Sequence, residues 1–355
     1  MKLPDFPWDA LAPYGARARE HAGGLIDLSQ GTPVDAVPGF IQKALQDSSN
    51  APSYPLTIGT PELREAMRNW ATKILGATGE FDVLPTIGSK ELVAWLPTIL
   101  EAKTVLYPKV AYPTYLVGSM IHGAKAIPVD IDASTWPKSE MAWINSPSNP
   151  TGRVHSVEEL QSVISYARSQ NSLVVSDECY ISFPAKGAAP VSILKLANGD
   201  NKNLIAVHSM SKRSNLAGYR AGLIVGDAEI IGQIREVRKH AGMMVPLPIQ
   251  RAMTAALGDE THVAEQAERY SARREILSGA LIKAGFQIDF STAGLYIWCT
   301  RNESSWDSVA WLAGLGILAT PGIFYGEAGA QHIRIAMTAS DTQIKDAADR
   351  ILKSL

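Results

Sequence analysis

The chain has 355 residues, 46% of them hydrophobic, and its 33 Lys and Arg residues nearly balance its 35 Asp and Glu residues. The length suggests two domains, and the apolar fraction is large enough for a sizeable core, which excludes an intrinsically disordered chain. A net charge of −2 provides no basic face for nucleic acid or an anionic membrane, and 2 Cys residues cannot build a disulfide framework or a CxxC zinc site. We therefore expect a globular protein with no nucleic-acid partner, no membrane partner and no metal site.

The N-terminal residues MKLPDFPWDA contain Pro and Asp where a signal peptide needs an apolar run. The most apolar stretches, 92–100 and 312–324, are shorter than the ~18 residues of a membrane span and are interrupted by Pro or Gly. These features predict a cytoplasmic location.

Short apolar segments alternate with helical periodicity from about residue 83 to 240. Ser156 and Glu159 form a capping-box pattern, which predicts a helix over 157–169. The short apolar segments predict buried strands at 104–107, 141–145, 173–176, 204–207 and 221–225. This alternation predicts a mainly parallel sheet with helices on both faces and with ligand sites at the carboxyl ends of its strands.

The pattern changes after about residue 245. Helices are predicted over 260–284, over 306–315 and from Asp341 onward, and strands at 286–290, 295–300 and 333–337. This arrangement predicts a second, smaller α+β domain. We expect a large domain at 34–240 and a small domain built from 1–33 and 241–355, closely packed because no flexible linker separates them.

The most informative segment surrounds Lys212, which follows a predicted strand, lies beside Ser209 and Ser211, and precedes Arg220. A lysine that forms a Schiff base beside a phosphate needs such a setting. A solvated loop lysine is the alternative, because most lysines are surface charges. Other motifs must therefore support this interpretation.

Two other predicted strands also end in polar residues. One leads into SPSNPTG, which contains Asn149, and another into DECY, which contains Asp177 and Tyr180. A carboxylate can keep a cofactor ring nitrogen protonated, while an amide and a phenol can hydrogen-bond a ring hydroxyl. Taken singly, these residues are also typical of turns and helix caps.

Together, in this order and spacing, the motifs resemble those of the fold-type I pyridoxal-phosphate aminotransferases of class I/II, over nearly the whole chain. The resemblance implies an α/β fold with a parallel-sheet large domain and a smaller α+β domain. It implies pyridoxal 5'-phosphate as cofactor and ping-pong transfer of an amino group between an L-amino acid and a 2-oxo acid. Lys212 would bind the cofactor and move a proton, Asp177 would pair with the pyridine nitrogen, and Asn149 and Tyr180 would contact the ring 3-oxygen.

The same resemblance implies the remaining site residues. Phosphate ligands would be Gly88, Ser89 and Lys90 at a helix N-terminus, with Ser209, Ser211 and Arg220. Tyr112 would stack on the pyridine ring as a catalytic-site residue, although an aromatic core role is the alternative. Arg334, with Asn149, would bind the substrate α-carboxylate, which suits the planar guanidinium fork. Gly31 would lie in the segment that covers the substrate, or else serve only as a turn glycine.

Tyr54, within SYPLTIG, resembles the family tyrosine that reaches the phosphate of the neighbouring subunit. This resemblance implies a homodimer with shared active sites.

Segments 6–9, 28–35, 110–115 and 238–246 are similar to those of actinobacterial N-succinyl-L,L-diaminopimelate aminotransferases. That likeness implies exchange with glutamate and 2-oxoglutarate in lysine biosynthesis. The additional carboxylates of such a substrate need donors beyond Arg334, and Arg213, Arg238 and Lys239 are candidates. A surface or interface charge is the alternative for each of them. An aspartate-, alanine- or methionine-type aminotransferase, or a pyridoxal-phosphate-dependent carbon–sulfur lyase or decarboxylase, remains the alternative on this scaffold.

Overall fold

A computed structural model describes residues 3–355. The strands, in chain order, are β1 (Ile26–Asp27), β2 (Asp82–Thr86), β3 (Thr104–Pro108), β4 (Lys125–Val129), β5 (Met141–Asn145), β6 (Leu173–Asp177), β7 (Leu204–Ser209), β8 (Gly222–Gly226), β9 (Gln287–Ile288), β10 (Tyr296–Thr300), β11 (Ile317–Leu318), β12 (Thr320–Pro321) and β13 (His332–Ala336). The α-helices are α1 (Ala12–Arg19), α2 (Gly39–Asp47), α3 (Pro61–Trp70), α4 (Gly88–Ile99), α5 (Thr114–His122), α6 (Val157–Gln170), α7 (Ile193–Leu196), α8 (Met210–Arg213), α9 (Ala228–His240), α10 (Leu247–Leu257), α11 (Thr261–Lys283), α12 (Ser305–Gly314) and α13 (Asp341–Lys353).

A seven-stranded sheet with the order β2-β8-β7-β6-β5-β3-β4 forms the centre of the fold. Its neighbouring strands run parallel except at β8, which is antiparallel to both β7 and β2. The five strands predicted from the sequence all belong to this sheet, and the predicted mainly parallel architecture is confirmed. Such strands are uninterrupted apolar runs because helices cover both sheet faces.

Side chains of β5 show how the two faces of the sheet are buried. Ala142 and Ile144 belong to one core cluster, whereas Met141 and Trp143 belong to the cluster on the other face. This alternation follows from the two-residue period of a strand. Helix α6 packs on the first face and helices α4 and α9 on the second. The predicted capping box of α6 is present.

The two edge strands, β2 and β4, were not predicted. Each contains a proline, Pro85 in β2 and Pro128 in β4. Proline cannot donate to a strand ladder and is tolerated at sheet edges, so both segments lose the sequence pattern of a central strand. β4 is also largely half-exposed, which hides the continuous apolar run.

A smaller antiparallel sheet, with the order β12-β13-β10-β9, is built from the C-terminal part of the chain. β1 pairs in parallel with β11 and brings residues 26–27 against this part. Helices α11, α12 and α13 pack on the smaller sheet through a separate hydrophobic core cluster. This confirms the α+β region predicted from the sequence. Helix α10, however, packs on α2 and α3. The domain boundaries at 34 and 240 stay a prediction.

Among residues 3–355, no helix combines the length and apolar composition that crossing a membrane requires.

Candidate active site

The candidate site lies at the carboxyl edge of the seven-stranded sheet, where parallel strands place the residues that follow them. Asp177 ends β6, and Ser209 ends β7 immediately before the one-turn helix that carries Lys212. Because β8 is antiparallel, its first residue, Gly222, lies at the same edge and pairs with both Ser209 and Thr86. Residues that are distant in sequence therefore converge here.

A cavity of about 1000 Å³ opens at this edge. The structure brings twelve of the predicted site residues into its lining: Gly31, Ser89, Lys90, Tyr112, Asn149, Asp177, Tyr180, Ser209, Ser211, Lys212, Arg220 and Arg334. Gly88 does not line the cavity itself but is the first residue of α4, immediately before Ser89. Tyr54 does not line the cavity, and its side chain is 92% exposed in the single chain.

Asp177 is a buried carboxylate held by neutral donors. The Tyr115 hydroxyl donates to its Oδ2 at 2.7 Å, and the Cys179 backbone N–H donates to Oδ1 at 3.2 Å. Burial raises the pKa of Asp177, and these two donors oppose that rise. Both donors are neutral, so within residues 3–355 the hydrogen bonds of this carboxylate bring no cation to it.

Lys212 is half-buried, and its Nζ donates a hydrogen bond to the backbone carbonyl of Gly31. Burial, together with the positive charges of Arg334 and Arg220, lowers the pKa of Lys212 to about 8. A group with this pKa has a substantial neutral fraction near neutral pH. It can therefore act as a nucleophile or a base.

Arg334 projects from β13 into the cavity, where it is only 3% exposed. Its guanidinium donates to Asn149 Oδ1 at 3.0 Å and to the Ser29 carbonyl at 2.6 Å, and it lies over the Tyr296 ring at 4.1 Å. Its Nε has no hydrogen-bond partner in the described part of the chain. A buried guanidinium with amide and carbonyl partners and an unused donor suits an incoming carboxylate.

The segment at residues 29–31 is fastened through three consecutive backbone carbonyls. Arg334 donates to Ser29, Thr338 to Gln30 and Lys212 to Gly31. A Cβ on Gly31 would lie 2.0 Å from the Tyr296 hydroxyl oxygen, so only glycine fits at this position. The predicted substrate segment thus contacts both the lysine and the arginine.

The start of α4 and the side chain of Arg220 form a small cradle. Helix α4 begins without a side-chain cap, so its first backbone N–H groups remain available to an anion. Gly88 has a φ of +70°, and a Cβ there would lie 2.5 Å from Arg220 Nη2. Ser209 and Ser211 line the same cavity. This arrangement suits a phosphate group.

Two tyrosines complete the inner wall. The hydroxyls of Tyr180 and Tyr296 lie 3.0 Å apart, and burial raises the pKa of Tyr180 well above its ordinary value. Tyr112 packs edge-on against Tyr115, with ring centroids 6.1 Å apart. The ring of Tyr112 is half-buried and faces the cavity.

The three candidates for the distal carboxylates lie elsewhere. Arg238 is fully buried against Glu91, with Nη1–carboxylate distances of 2.9 and 3.0 Å. Arg213 bonds to Glu260 and to the carbonyl of Ala256, and Lys239 is an exposed residue near the end of α9. None of the three lines the cavity of the single chain, which favours the alternative that they are surface or internally paired charges.

Sequence reasoning missed Tyr115, Tyr296 and the N-terminal segment at residues 3–8, all of which line the cavity. Tyr115 lies in the turn-and-helix segment that carries Tyr112, and its ring stacks on Trp143 with centroids 5.0 Å apart. An aromatic hydroxyl next to a predicted site tyrosine was the available signal. Segment 6–9 carries a family likeness, but nothing in its sequence indicates that residues 3–8 line the cavity.

Comparison with known proteins gives a consistent result. The family model described as aminotransferase class I and II matches residues 24–351. The probable aminotransferase Rv1178 of Mycobacterium tuberculosis is 51% identical, covering 98% of this chain and 85% of its own. The 4-dedimethylamino-4-oxo-anhydrotetracycline transaminase OxyQ of Streptomyces rimosus is 49% identical over 99% of each chain. The solved structure of a probable N-succinyldiaminopimelate aminotransferase from Thermus thermophilus superposes with a TM-score of 0.89 at 25% identity, covering 99% of this chain and 100% of the other.

The family model covers most of the chain, two relatives are about half identical to it, and the cavity gathers the residues expected of a pyridoxal-phosphate site. The chain therefore belongs to the class I and II aminotransferases, which are pyridoxal 5'-phosphate-dependent enzymes.

Proposed function

We propose that this aminotransferase exchanges an amino group between N-succinyl-L,L-diaminopimelate and 2-oxoglutarate by a ping-pong mechanism, in lysine biosynthesis. One observation carries the chemical part of the proposal. One cavity is lined by Asp177, Lys212 and Arg334. Asp177 is a carboxylate with only neutral donors, Lys212 has a lowered pKa, and Arg334 has a donor that is not used.

The residues of the cavity fit pyridoxal phosphate. The uncapped start of α4 and the Gly88–Arg220 contact form a cradle that a phosphate would fill, with Ser209 and Ser211 beside it. Asp177 would meet the protonated pyridine nitrogen, and that cation would remove the cost of burying the carboxylate. Asn149 and Tyr180 would hold the ring 3-oxygen. When bound, the cofactor supplies an electron sink for the charge that develops at the substrate α-carbon.

Lys212 would carry the cofactor and then move the proton at the substrate α-carbon. Both tasks need a neutral amine during part of the cycle, and burial among positive charges favours that form. Its bond to the Gly31 carbonyl directs Nζ toward the segment that would cover the substrate.

Arg334 would bind the substrate α-carboxylate through two parallel N–H donors, with Asn149 orienting the guanidinium. Burial of this pair excludes water, which strengthens the attraction between the guanidinium and the carboxylate. The α-carbon would thereby be held near Lys212, and most of the catalytic benefit would come from that positioning.

Lys90 supports an anionic substrate side chain. Its Nζ lies 5.5 Å from the ring centroid of Phe6 and 6.0 Å from that of Tyr112, in the lining of the cavity. The contacts of its ammonium group are with these two aromatic rings, which supply no negative charge. A carboxylate far from the reacting centre could therefore pair with Lys90, a role that Arg213, Arg238 and Lys239 do not fill here.

A second candidate is transfer to a large, planar ketone. The cavity is also lined by the aromatic side chains of Phe6, Trp8 and Phe324 and by the acidic Asp5. An aromatic wall favours flat apolar substrates, and an acid disfavours polyanions. The relative OxyQ carries a tetracycline precursor in its name, and it shares 49% identity with this chain. The experiment described next also distinguishes the remaining alternatives, which are the aspartate-, alanine- and methionine-type reactions and the carbon–sulfur lyase reaction.

The test is an absorbance scan of the protein loaded with pyridoxal phosphate and challenged separately with glutamate, N-succinyl-diaminopimelate, aspartate, alanine and methionine. Conversion to the amine form of the cofactor by the first two compounds, with the 2-oxo acids identified by mass spectrometry, supports the proposal. Conversion by another pair removes the lysine pathway. Release of thiol and pyruvate from a cysteine conjugate would indicate a lyase, and amination of a 4-oxo-tetracycline precursor would favour the second candidate.

Lys90→Met and Lys90→Arg test the distal contact. We expect Lys90→Met to raise KM for N-succinyl-diaminopimelate about tenfold or more while leaving KM for alanine within about twofold, and Lys90→Arg to retain the wild-type pattern. Equal effects of Lys90→Met on both substrates would place the defect in cofactor binding and remove Lys90 from substrate recognition.

We also propose that two chains form a homodimer in which Tyr54 reaches the phosphate of the neighbouring site. Its extreme exposure in the single chain supports a contact made by another molecule. The cytoplasmic location stays a prediction from the sequence.

A further inference from the structure

A chain of hydrogen bonds joins the residues after Lys212 to the beginning of α11. Arg213 Nη1 lies 3.2 Å from Ser214 Oγ, Ser214 Oγ lies 2.9 Å from His262 Nε2, and His262 Nδ1 lies 2.6 Å from Asp259 Oδ1. Asp259 Oδ1 also accepts from the His262 backbone N–H at 2.9 Å. The four side chains thus form one continuous path.

The protonation states of these groups determine which atom donates and which accepts in each hydrogen bond of the path. The His262 backbone N–H lowers the pKa of Asp259, and burial lowers the pKa of His262, so near neutral pH the carboxylate is ionised and the imidazole is neutral. Asp259 can only accept, which places the imidazole proton on Nδ1 and leaves Nε2 as an acceptor. The Ser214 hydroxyl then donates to Nε2 and receives a hydrogen bond from Arg213. Every donor in the path has an acceptor.

The surroundings of His262 favour this arrangement. Arg213 and Glu260 are the other charged groups near the imidazole, and they form an ion pair with each other. The ring of Phe40 packs edge-on against His262 with centroids 5.5 Å apart. A second positive charge on His262 would be repelled by Arg213.

The constellation has the residue types of a nucleophilic triad, but it lacks access for a substrate. Ser214 is 1% exposed and lines neither the large cavity nor a smaller one bordered by Trp143 and Arg153. Its position two residues after Lys212 is the more informative fact. The Ser214 backbone N–H also donates to the Met210 carbonyl at 3.1 Å, which closes the turn that carries Lys212.

We propose that His262 is a positioning residue, and that the path Arg213–Ser214–His262–Asp259 fixes the turn carrying Lys212 against the start of α11. The inference rests on the proposed role of Lys212. It assigns a task to Arg213 that is unrelated to substrate carboxylates, and it makes α11 part of the support of the reaction centre.

Nitrogen-15 NMR of the holoenzyme tests the direction of the path, with the His262 signals identified by their loss in His262→Gln. We expect a neutral imidazole protonated at Nδ1 and unprotonated at Nε2. A tautomer protonated at Nε2 would overturn the inference, because Ser214 could then not donate to the ring.

Two substitutions of His262 separate its two bonds. In His262→Gln the side-chain amide reaches the position of Nε2, so the contact with Ser214 is kept. In His262→Asn the shorter amide reaches only the position of Nδ1, so the contact with Asp259 is kept and the contact with Ser214 is lost. We expect Ser214→Ala and His262→Asn to lower kcat about tenfold or more with KM within about twofold, and His262→Gln to stay within about threefold of wild type. Ser340→Ala is the matched control, since it removes the N-cap hydroxyl of α13, which does not line the cavity.

A readout independent of turnover is the rate at which borohydride fixes pyridoxal phosphate on Lys212, followed by peptide mass spectrometry. Positioning predicts slower fixation in Ser214→Ala and His262→Asn and unchanged fixation in Ser340→Ala, even at equal loss of Tm. The inference would be contradicted if Ser214→Ala and His262→Asn left both the fixation rate and kcat unchanged. It would also be contradicted if Ser340→Ala lost as much kcat as these two variants, or if a fluorophosphonate labelled Ser214. If the wild type transfers no amino group, the proposed function fails, while fixation and NMR still decide the positioning role.

Discussion

Lys212 donates its Nζ hydrogen bond to the backbone carbonyl of Gly31, across 181 positions of the chain. Gly31 belongs to the N-terminal segment, whereas Lys212 follows the last parallel strand of the large sheet. The same segment contacts Arg334 through Ser29. The geometry of 29–31 therefore affects the lysine and the arginine together.

Gly31→Ala should damage the site without unfolding the chain. The added Cβ would lie 2.0 Å from the Tyr296 hydroxyl oxygen, so either the ring or the segment must move. A shift of about 1 Å in either would cost about 100-fold in kcat/KM. Steady-state kinetics with glutamate as donor measure the loss.

Gly279→Ala provides the matched control for that prediction. Gly279 lies within α11, and a Cβ there meets nothing within 4 Å. Because alanine has the higher helix propensity, we expect a stability gain of up to ~1 kcal/mol and wild-type kinetics. Equal activity of Gly31→Ala and Gly279→Ala would contradict the role assigned to the segment.

The sequence predicted the central strands and most of the cavity lining because both depend on local patterns. Buried strands such as Met141–Asn145 are uninterrupted apolar runs, and the residues that follow them must meet at one edge. The edge strands β2 and β4 each contain a proline, so they lack the uninterrupted apolar run by which the other strands were predicted. The contact of Arg334 with the Ser29 carbonyl depends on packing between distant segments, so no local signal identifies it.

The absence of Arg213 and Arg238 from the cavity lining has a physical reason. Both are cations near predicted site motifs, but each is neutralised internally, Arg213 by Glu260 and Arg238 by Glu91. A sequence shows the charge and not the partner. Lys90 was assigned through its backbone at a helix N-terminus, and its side chain reaches the cavity independently.

Asp177→Asn should lower kcat by about 10³-fold, because an amide retains the shape of the carboxylate but supplies no charge to hold a ring nitrogen protonated. Tyr115→Phe removes only the 2.7 Å hydrogen bond to Asp177 and should cost less than about tenfold. Single-turnover absorbance measurements separate the chemical step from release. A larger effect of Tyr115→Phe than of Asp177→Asn would make the tyrosine, and not the charge, essential.

Arg334→Lys should mainly weaken amino-acid binding. Lysine cannot present two parallel donors, and it would also lose the bonds to Asn149 and Ser29, so kcat/KM should fall about 100-fold with most of the change in KM. Arg168→Lys, at a surface pair with Asp200, serves as control and should leave both constants unchanged. A fall in kcat at unchanged KM would place Arg334 in the chemistry instead.

Mixing two defective variants tests whether Tyr54 is shared between subunits. Tyr54→Ala should weaken cofactor binding, and Lys212→Ala should abolish turnover. In a mixed dimer, one site would combine an intact Lys212 with an intact Tyr54 from the other chain, so activity should return on mixing and exchange. No recovery, with subunit exchange verified by mass spectrometry, would remove Tyr54 from the neighbouring site.

Glu178, buried next to Asp177, should make the stability depend on pH. Burial raises its pKa to about 7, while its ordinary value is 4.5. Between these values the folded chain retains a proton that the unfolded chain has released, so stability falls as pH rises from about 4.5 to about 7. Glu178→Gln has no proton to lose, and its amide can donate to His208 Nε2, which lies 3.4 Å from the carboxylate and has no hydrogen-bond partner in the described residues.

We therefore expect the free energy of unfolding of Glu178→Gln, relative to wild type, to increase between pH 5 and pH 8 by about 1–3 kcal/mol. Denaturant titrations followed by tryptophan fluorescence measure it. Glu303→Gln is the control, because hydrogen bonds from Ser308 and Arg301 overcome burial and lower the pKa of Glu303 below its ordinary 4.5. Its difference from wild type should therefore stay constant between pH 5 and pH 8 and change only below about pH 4.5. The carboxylate of Glu303 therefore stabilises the fold above its ordinary pKa, and that contribution is lost as pH falls. If Glu178→Gln follows the wild-type pH dependence, Glu178 does not keep its proton in the folded chain.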